Sequence, residues 1–182
     1  MIHYLTHIPE VFLIELPVFE DDRGFFIETY QDAKLSQLGI EARFVQDNHS
    51  GSNCGVLRGL HYQIRQPQGK LVRATSGKIF DVAVDLRQSS PTFGRWVGTI
   101  LSAEKPLQLW IPPGFAHGFY VLSDWAEVIY KITDYYAPQW ERTLLWNDPD
   151  VGIEWPLLTD SSPLLSPKDL QGKAFKEAEV FE

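Results

Sequence analysis

Short runs rich in Val, Ile, Tyr, Phe and Trp recur about every ten residues along this chain, separated by Gly, Pro, Asn and Asp, and that rhythm points to an all-β sandwich or barrel. Strands are expected over 11–16, 25–29, 56–63, 70–76, 79–86, 96–101, 107–111, 117–122, 127–133 and 142–146. The cleanest alternation sets Ala126, Val128, Tyr130 and Ile132 on one face against Glu127, Ile129 and Lys131 on the other. One face of that strand therefore looks inward. A short helix is expected over 32–38, stopped by Gly39, and a second over 167–176. With 182 residues and no repeat or low-complexity linker, residues 1–182 are expected to form one domain around one core.

Charge narrows the partners. Sixteen Lys+Arg against 24 Asp+Glu give a formal net charge of −8, which argues against nucleic acid or an anionic membrane surface as a partner. The acidity is uneven: Asn48 to Phe80 contains no Asp or Glu, yet carries Arg58, Arg65, Lys70, Arg73 and Lys78. Such a stretch suits a small anion. The N-terminus lacks a basic segment followed by a long apolar run, so neither a signal peptide nor a membrane span is expected. Cys54 is the only cysteine, which leaves no intramolecular disulfide and fits a reducing, cytoplasmic setting.

Histidines on a β scaffold raise the question of a metal. In cupins a His-x-His pair, a carboxylate and a later His hold one ion. Here Gly59-Leu60-His61-Tyr62-Gln63 places Gln63 where the second His would stand, and Gln is a poor ligand for zinc or iron. The later element survives as Pro112-Pro113-Gly114-Phe115-Ala116-His117. A cupin-type jelly-roll β-sandwich or barrel is expected, with a few short helices mainly near the C-terminus and with no metal.

His61 and His117 are then available for proton chemistry. A neutral imidazole among cations resists protonation and serves as a base near neutral pH. It needs a carboxylate to hold its ring, and Asp169, Asp81 and Asp85 are all candidates from sequence. Tyr130, on the apolar face of its strand, is a plausible proton donor opposite an imidazole. Gln46-Asp47-Asn48 suits turn chemistry and equally suits recognition of a nucleobase edge.

The segments Asp22-Arg23-Gly24-Phe25-Phe26-Ile27-Glu28, Gln46-Asp47-Asn48-His49-Ser50, Gly55-Val56-Leu57-Arg58-Gly59-Leu60-His61-Tyr62-Gln63, Gly69-Lys70-Leu71-Val72-Arg73 and Ile111-Pro112-Pro113-Gly114-Phe115-Ala116-His117-Gly118-Phe119 together resemble the dTDP-4-dehydrorhamnose 3,5-epimerase family. Ser89-Ser90-Pro91-Thr92-Phe93-Gly94, Trp146-Asn147-Asp148-Pro149 and Leu165-Ser166-Pro167-Lys168-Asp169 extend the likeness over nearly the whole chain. The resemblance implies a cofactor-free homodimer that inverts C3 and C5 of a nucleotide-linked 4-keto sugar. It implies His61 as base, Asp169 as its partner and Tyr130 as proton donor; because both carbons are α to the C4 ketone, a cation is expected at the enolate oxygen, and Lys70 is chosen for it. It also implies substrate contacts from Arg23, Glu28, Gln46, Asp47, Asn48, Arg58, Lys70, His117, Glu141 and Lys168, some of them from the neighbouring subunit. Cys54 lies outside these motifs and is expected to be dispensable.

Overall fold

The computed structural model describes residues 1–158 and 162–182. Two antiparallel sheets face one another as a jelly-roll β-sandwich. The larger runs, in spatial order, β1 (Ile2–Leu5), β2 (Phe12–Glu15), β10 (Leu107–Ile111), β7 (Lys70–Ser76), β12 (Trp125–Ile132) and β5 (Gln46–Asn53). The smaller runs β13 (Glu141–Thr143), β6 (Leu57–Gln63), β11 (Phe115–Val121), β8 (Lys78–Asp85) and β9 (Trp96–Ser102). A separate hairpin, β3 (Val18–Asp21) with β4 (Gly24–Ile27), stands apart from both.

Three apolar layers hold the sheets. Between them, Val72, Ala74, Leu109 and Val128 of the larger sheet pack on Ile79, Ala83, Phe119 and Val121 of the smaller. The outer face of the smaller sheet is covered by the C-terminal segment, where Trp155, Phe175, Val180 and Phe181 pack on Leu60, Val82, Val84 and Ala116. The outer face of the larger sheet is covered by Leu35, Ile40 and Phe44, which meet Phe12, Ile14, Leu71 and Trp110. Double coverage explains why β11 is buried at every position instead of alternating.

Several expectations change. The segment Gln46–Asn53, whose residues favour turns, is an eight-residue strand, because it pairs residue for residue with the strongly patterned β12, from Gln46 opposite Ile132 to Asn53 opposite Trp125. The N-terminal strand β1 and the hairpin strand β3 are further additions, and their side chains are exposed, so burial left no apolar pattern to read. The expected strand over 142–146 shortens to Glu141–Thr143. The expected C-terminal helix over 167–176 is two 3₁₀ turns, Asp169–Gln171 and Phe175–Glu177, separated at Gly172, where the chain runs so close to Leu144 and Leu145 that a Cβ would meet their backbone at 2.8 Å. The helix α1 (Asp32–Gln37) forms as expected.

Candidate active site

A cavity of about 330 Å³ opens between the two sheets at the end where β5, β12 and β7 face β6 and β11. The smaller sheet contributes Arg58, His61, Gln63, His117 and Phe119, and the larger contributes Gln46, Asn48, Ser50, Lys70, Tyr130 and Ile132. Tyr62, Gln68, Tyr136, Glu141 and Lys168 complete the wall.

Arg58 and His61 are three residues apart, and on a regular strand that odd spacing would aim them at opposite faces. The register between β6 and β11 resolves this. His117 stands opposite His61 and Phe119 opposite Arg58, so three steps on β6 match two on β11: an extra residue, a β-bulge. Gly59 sits in it at φ +138, and a Cβ there would lie 2.6 Å from the Gly118 Cα. The two glycines let the strands approach, and the bulge turns both the guanidinium and the imidazole into the cavity.

His61 Nε2 donates to Asp169 Oδ1 at 2.5 Å, which leaves Nδ1 as the lone-pair nitrogen of the ring. Asp169 is buried, and its other oxygen accepts from Ser166 Oγ at 2.7 Å. Burial alone would raise the Asp169 carboxyl, but the bonds from His61 and Ser166 outweigh it and hold the group below the ordinary carboxylate range. Of the three carboxylates that sequence left open as partners for His61, Asp169 is the one in contact. Asp85 instead holds Arg87, Ser90 and Thr92, while both oxygens of Asp81 lie 3.0 Å from His117 Nε2.

Lys70 is buried, its Nζ donating to the His61 carbonyl at 3.2 Å. Burial pulls its pKa down from the ordinary 10.5 to about 8, against the attraction of Asp81 and Glu141. Burial likewise lowers His117, helped by Lys70 and opposed by Asp81, so its imidazole stays neutral. Tyr130 enters from the opposite sheet, its ring 6.3 Å from that of His117, and burial raises its phenol. At the mouth, Glu141 pairs with Lys168 and accepts from the Tyr136 hydroxyl at 2.7 Å. These bonds outweigh the effect of its burial and lower its carboxyl. Gln63, where a metal-binding cupin would carry its second His, is committed to backbone: its amide nitrogen donates to Gln66 O at 2.9 Å and its oxygen accepts from Ala137 N at 2.8 Å. Among the described residues no three His, Cys, Asp or Glu side chains are grouped to ligate an ion.

Of the expected site residues, His61, Lys70, Tyr130, Gln46, Asn48, Arg58, His117, Glu141 and Lys168 share this cavity, with Asp169 directly behind His61. Three do not line it. Asp47 points to the other face of β5, as strand alternation requires, and pairs with Lys131 at 2.9 Å. Arg23, at the tip of the β3–β4 hairpin, has a side chain 90% exposed and pairs with Asp21. Glu28 pairs with Lys34 at 2.6 Å. Ser50, Gln68 and Tyr136 are additions. Reading 46–53 as a strand would have found Ser50, since Gln46, Asn48 and Ser50 then fall on one face.

A carboxylate-held imidazole on one wall, facing a phenol and a buried lysine on the other, is an arrangement suited to moving protons at carbon. The sequence profile of the dTDP-4-dehydrorhamnose 3,5-epimerase family matches residues 5–177, and the chain belongs to that family. A dTDP-4-dehydrorhamnose 3,5-epimerase of Pseudomonas aeruginosa is 62% identical over 175 residues, which are 96% of each chain. A crystal structure of dTDP-6-deoxy-D-glucose-3,5-epimerase from Legionella pneumophila in complex with dTDP-4-keto-L-rhamnose superposes with a TM-score of 0.94 at 52% identity, covering 97% of this chain and 94% of that one. A 3′-monoepimerase from Streptomyces bikiniensis, in complex with dTDP-quinovose, gives a TM-score of 0.87 at 32% identity, covering 95% of this chain and 87% of that one. The protein is thus an epimerase, and no helix among the described residues is long and apolar enough to cross a membrane.

Proposed function

We propose that the chain inverts C3 and C5 of dTDP-4-dehydro-6-deoxy-D-glucose to give dTDP-4-dehydro-L-rhamnose, with His61 as base, Asp169 as its positioning partner, Tyr130 as acid and Lys70 as the cation that meets the enolate. The observation that carries this reading is the His61–Asp169 pair facing Tyr130 across one cavity. Both carbons are α to the C4 ketone. When His61 removes either proton, the C–H electron pair moves into the ring and the negative charge settles on the C4 oxygen. A protonated Lys70 stabilises that oxygen as the charge develops, and neutral His117 fits a role as hydrogen-bonding wall rather than second cation. Tyr130 then delivers a proton to the opposite face of the ring. Its raised phenol pKa keeps it in the donor form at neutral pH, and solvent returns its proton and relieves His61 of the other.

The division of labour between base and acid has a direct consequence. A Tyr130→Phe variant should still exchange substrate protons with solvent through His61, but form inverted product roughly 10²–10⁴ times more slowly. Proton NMR of the substrate in heavy water reads both quantities in one tube. Product formed at the wild-type rate would remove Tyr130 from the mechanism.

The positions of Arg23 and Glu28 support a dimer in which each hairpin completes the neighbour's site. The hairpin holds Phe19, Phe25 and Phe26 exposed, and among the described residues it meets neither large sheet through strand pairing. Co-expressed Arg23→Ala and His61→Asn subunits should therefore regain activity, because the mixed dimer holds one intact site. About a quarter of wild-type turnover is expected from random pairing of equal amounts. Activity no higher than the sum of the two separate variants would place Arg23 in its own subunit's site or outside the site altogether.

In the same reading residues 1–182 act as one unit, no cofactor takes part, and the enzyme works in the cytoplasm. The buried Lys70 and the basic stretch 48–80 support an anionic small-molecule substrate. A second reading, inversion at C3 alone, is the activity named for the Streptomyces monoepimerase, which at 32% identity is less like this chain than the 3,5-epimerases at 62% and 52%. Position-resolved exchange separates the two.

A further inference from the structure

Residues 134–137 carry Tyr136 to the mouth of the cavity outside any strand, so their backbone groups need partners other than a sheet ladder. Three glutamine side chains supply them. Gln68 Nε2 donates to the Asp134 carbonyl at 3.1 Å and Gln63 Nε2 to the Tyr135 carbonyl at 3.2 Å. Gln46 Oε1 accepts from Tyr136 N at 3.3 Å, and Gln63 Oε1 from Ala137 N at 2.8 Å. Among the described residues none of these four backbone groups has a main-chain partner.

Gln63 does most of this holding. It is 2% exposed, and Nε2 also donates to the Gln66 carbonyl at 2.9 Å, so one carboxamide grips the chain on both sides of Tyr136 and ties it to the turn after β6. A primary amide offers two N–H donors and an acceptor in one plane. A neutral imidazole, the group a metal-binding cupin would carry at this position, offers only one of each. The Tyr136 hydroxyl is fixed in turn by Glu141, which stands opposite Gln63 on β13. Between these anchors the ring is exposed and lines the cavity. We propose that Gln63 is a positioning residue for substrate binding: it holds the Tyr136 ring at the cavity mouth and so sets affinity for the nucleotide sugar, without acting on the proton transfers. The assignment rests on the nucleotide-sugar reading above. An aromatic side chain on an unanchored loop samples many positions, and binding then carries the cost of ordering it. Anchoring by Gln63 removes that cost before the substrate arrives, so its loss falls on KM and not on kcat.

Steady-state kinetics on dTDP-4-dehydro-6-deoxy-D-glucose with wild type, Gln63→Met, Tyr136→Ala and the double variant test the assignment. Methionine keeps the length of the side chain and removes all three bonds. Gln63→Met should raise KM about tenfold and leave kcat within about twofold of wild type. In the Tyr136→Ala background the same exchange should change KM by less than about twofold, because the ring through which Gln63 acts is gone. An unchanged KM in Gln63→Met, a tenfold rise that persists without the Tyr136 ring, or a fall in kcat as large as the rise in KM would each overturn the assignment. A thermal melt shows whether Gln63→Met folds. If it does not, Gln68→Met enters the same cycle, since it releases only the Asp134 carbonyl from a half-buried side chain. A rise in KM of about threefold, the scale of one hydrogen bond, is then expected, again lost in Tyr136→Ala. No rise, or one that persists there, would overturn the anchoring role. Wild-type protein that leaves the nucleotide sugar unconverted would instead overturn the nucleotide-sugar reading, and this assignment with it.

Discussion

A His61→Asn variant is expected to turn over its nucleotide sugar about 10³-fold more slowly than wild type, the typical contribution of a positioned general base. Asparagine retains an N–H donor for Asp169, which would otherwise be a buried carboxylate without the shortest of its bonds. The melting temperature should therefore stay within a few degrees of wild type. Progress curves by proton NMR and a thermal melt on the same preparation separate lost chemistry from lost fold. More than a tenth of wild-type turnover in a folded variant would show that another group removes the proton. An Asp169→Asn variant should fall between the two, since it leaves the imidazole in place but removes the carboxylate that holds its ring and stabilises its protonated form.

The second large effect is expected at Lys70. Exchanging it for methionine, close in length but uncharged, should lower turnover by roughly 10²–10³-fold, as for loss of one donor to a developing oxyanion. Its pH behaviour gives an independent check, because activity and stability should move in opposite directions. Folding lowers the Lys70 pKa from 10.5 to about 8. Below about 8 the ammonium is charged in both states and burial of that charge works against the fold. Between about 8 and 10.5 the unfolded chain binds the proton that the folded chain has released, so the stability of wild type relative to Lys70→Met rises with pH across that window. Activity depends on the charged form and should decline as pH passes about 8. Denaturant midpoints of both proteins and a pH profile of kcat/KM measure the two slopes. A profile flat to pH 10 in wild type would mean that Lys70 does not meet the enolate as a cation.

What the sequence discloses depends on how local the cause is. Strands β7 and β10 lie where the apolar pattern puts them, and the alternation of Ala126, Val128 and Ile132 is matched by their burial. The strand β5 is not legible, because Gln46–Asn53 holds no β-branched residue and no Phe, Tyr or Trp, and owes its form to the partner strand β12. The same lack of pattern hid Ser50, since only a strand assigns odd and even positions to different faces; Asp47, expected from the family resemblance, falls on the face away from the cavity. The pairing of His61 with Asp169, 108 residues apart, needed the C-terminal segment to fold back across the smaller sheet, and spacing alone left Asp81 and Asp85 as equal rivals. Asp81 turns out to serve the other histidine. That Arg58 and His61 share a cavity depends on a single extra residue at Gly59, a detail that no periodicity reports.

Charge was readable at a coarser level. The chain is acidic overall, yet Arg58 and Lys70 from its acid-free stretch line the cavity. Arg65 from the same stretch lies over Trp140, so the basic run as a whole is only partly cavity wall.

The most direct test of the 3,5-epimerase mechanism is incubation of dTDP-4-dehydro-6-deoxy-D-glucose with the wild-type enzyme in heavy water, with deuterium located position by position by NMR. Deuterium at both C3 and C5, together with product inverted at both carbons, is the predicted result. Exchange confined to C3, or product inverted without deuterium from solvent, would contradict it.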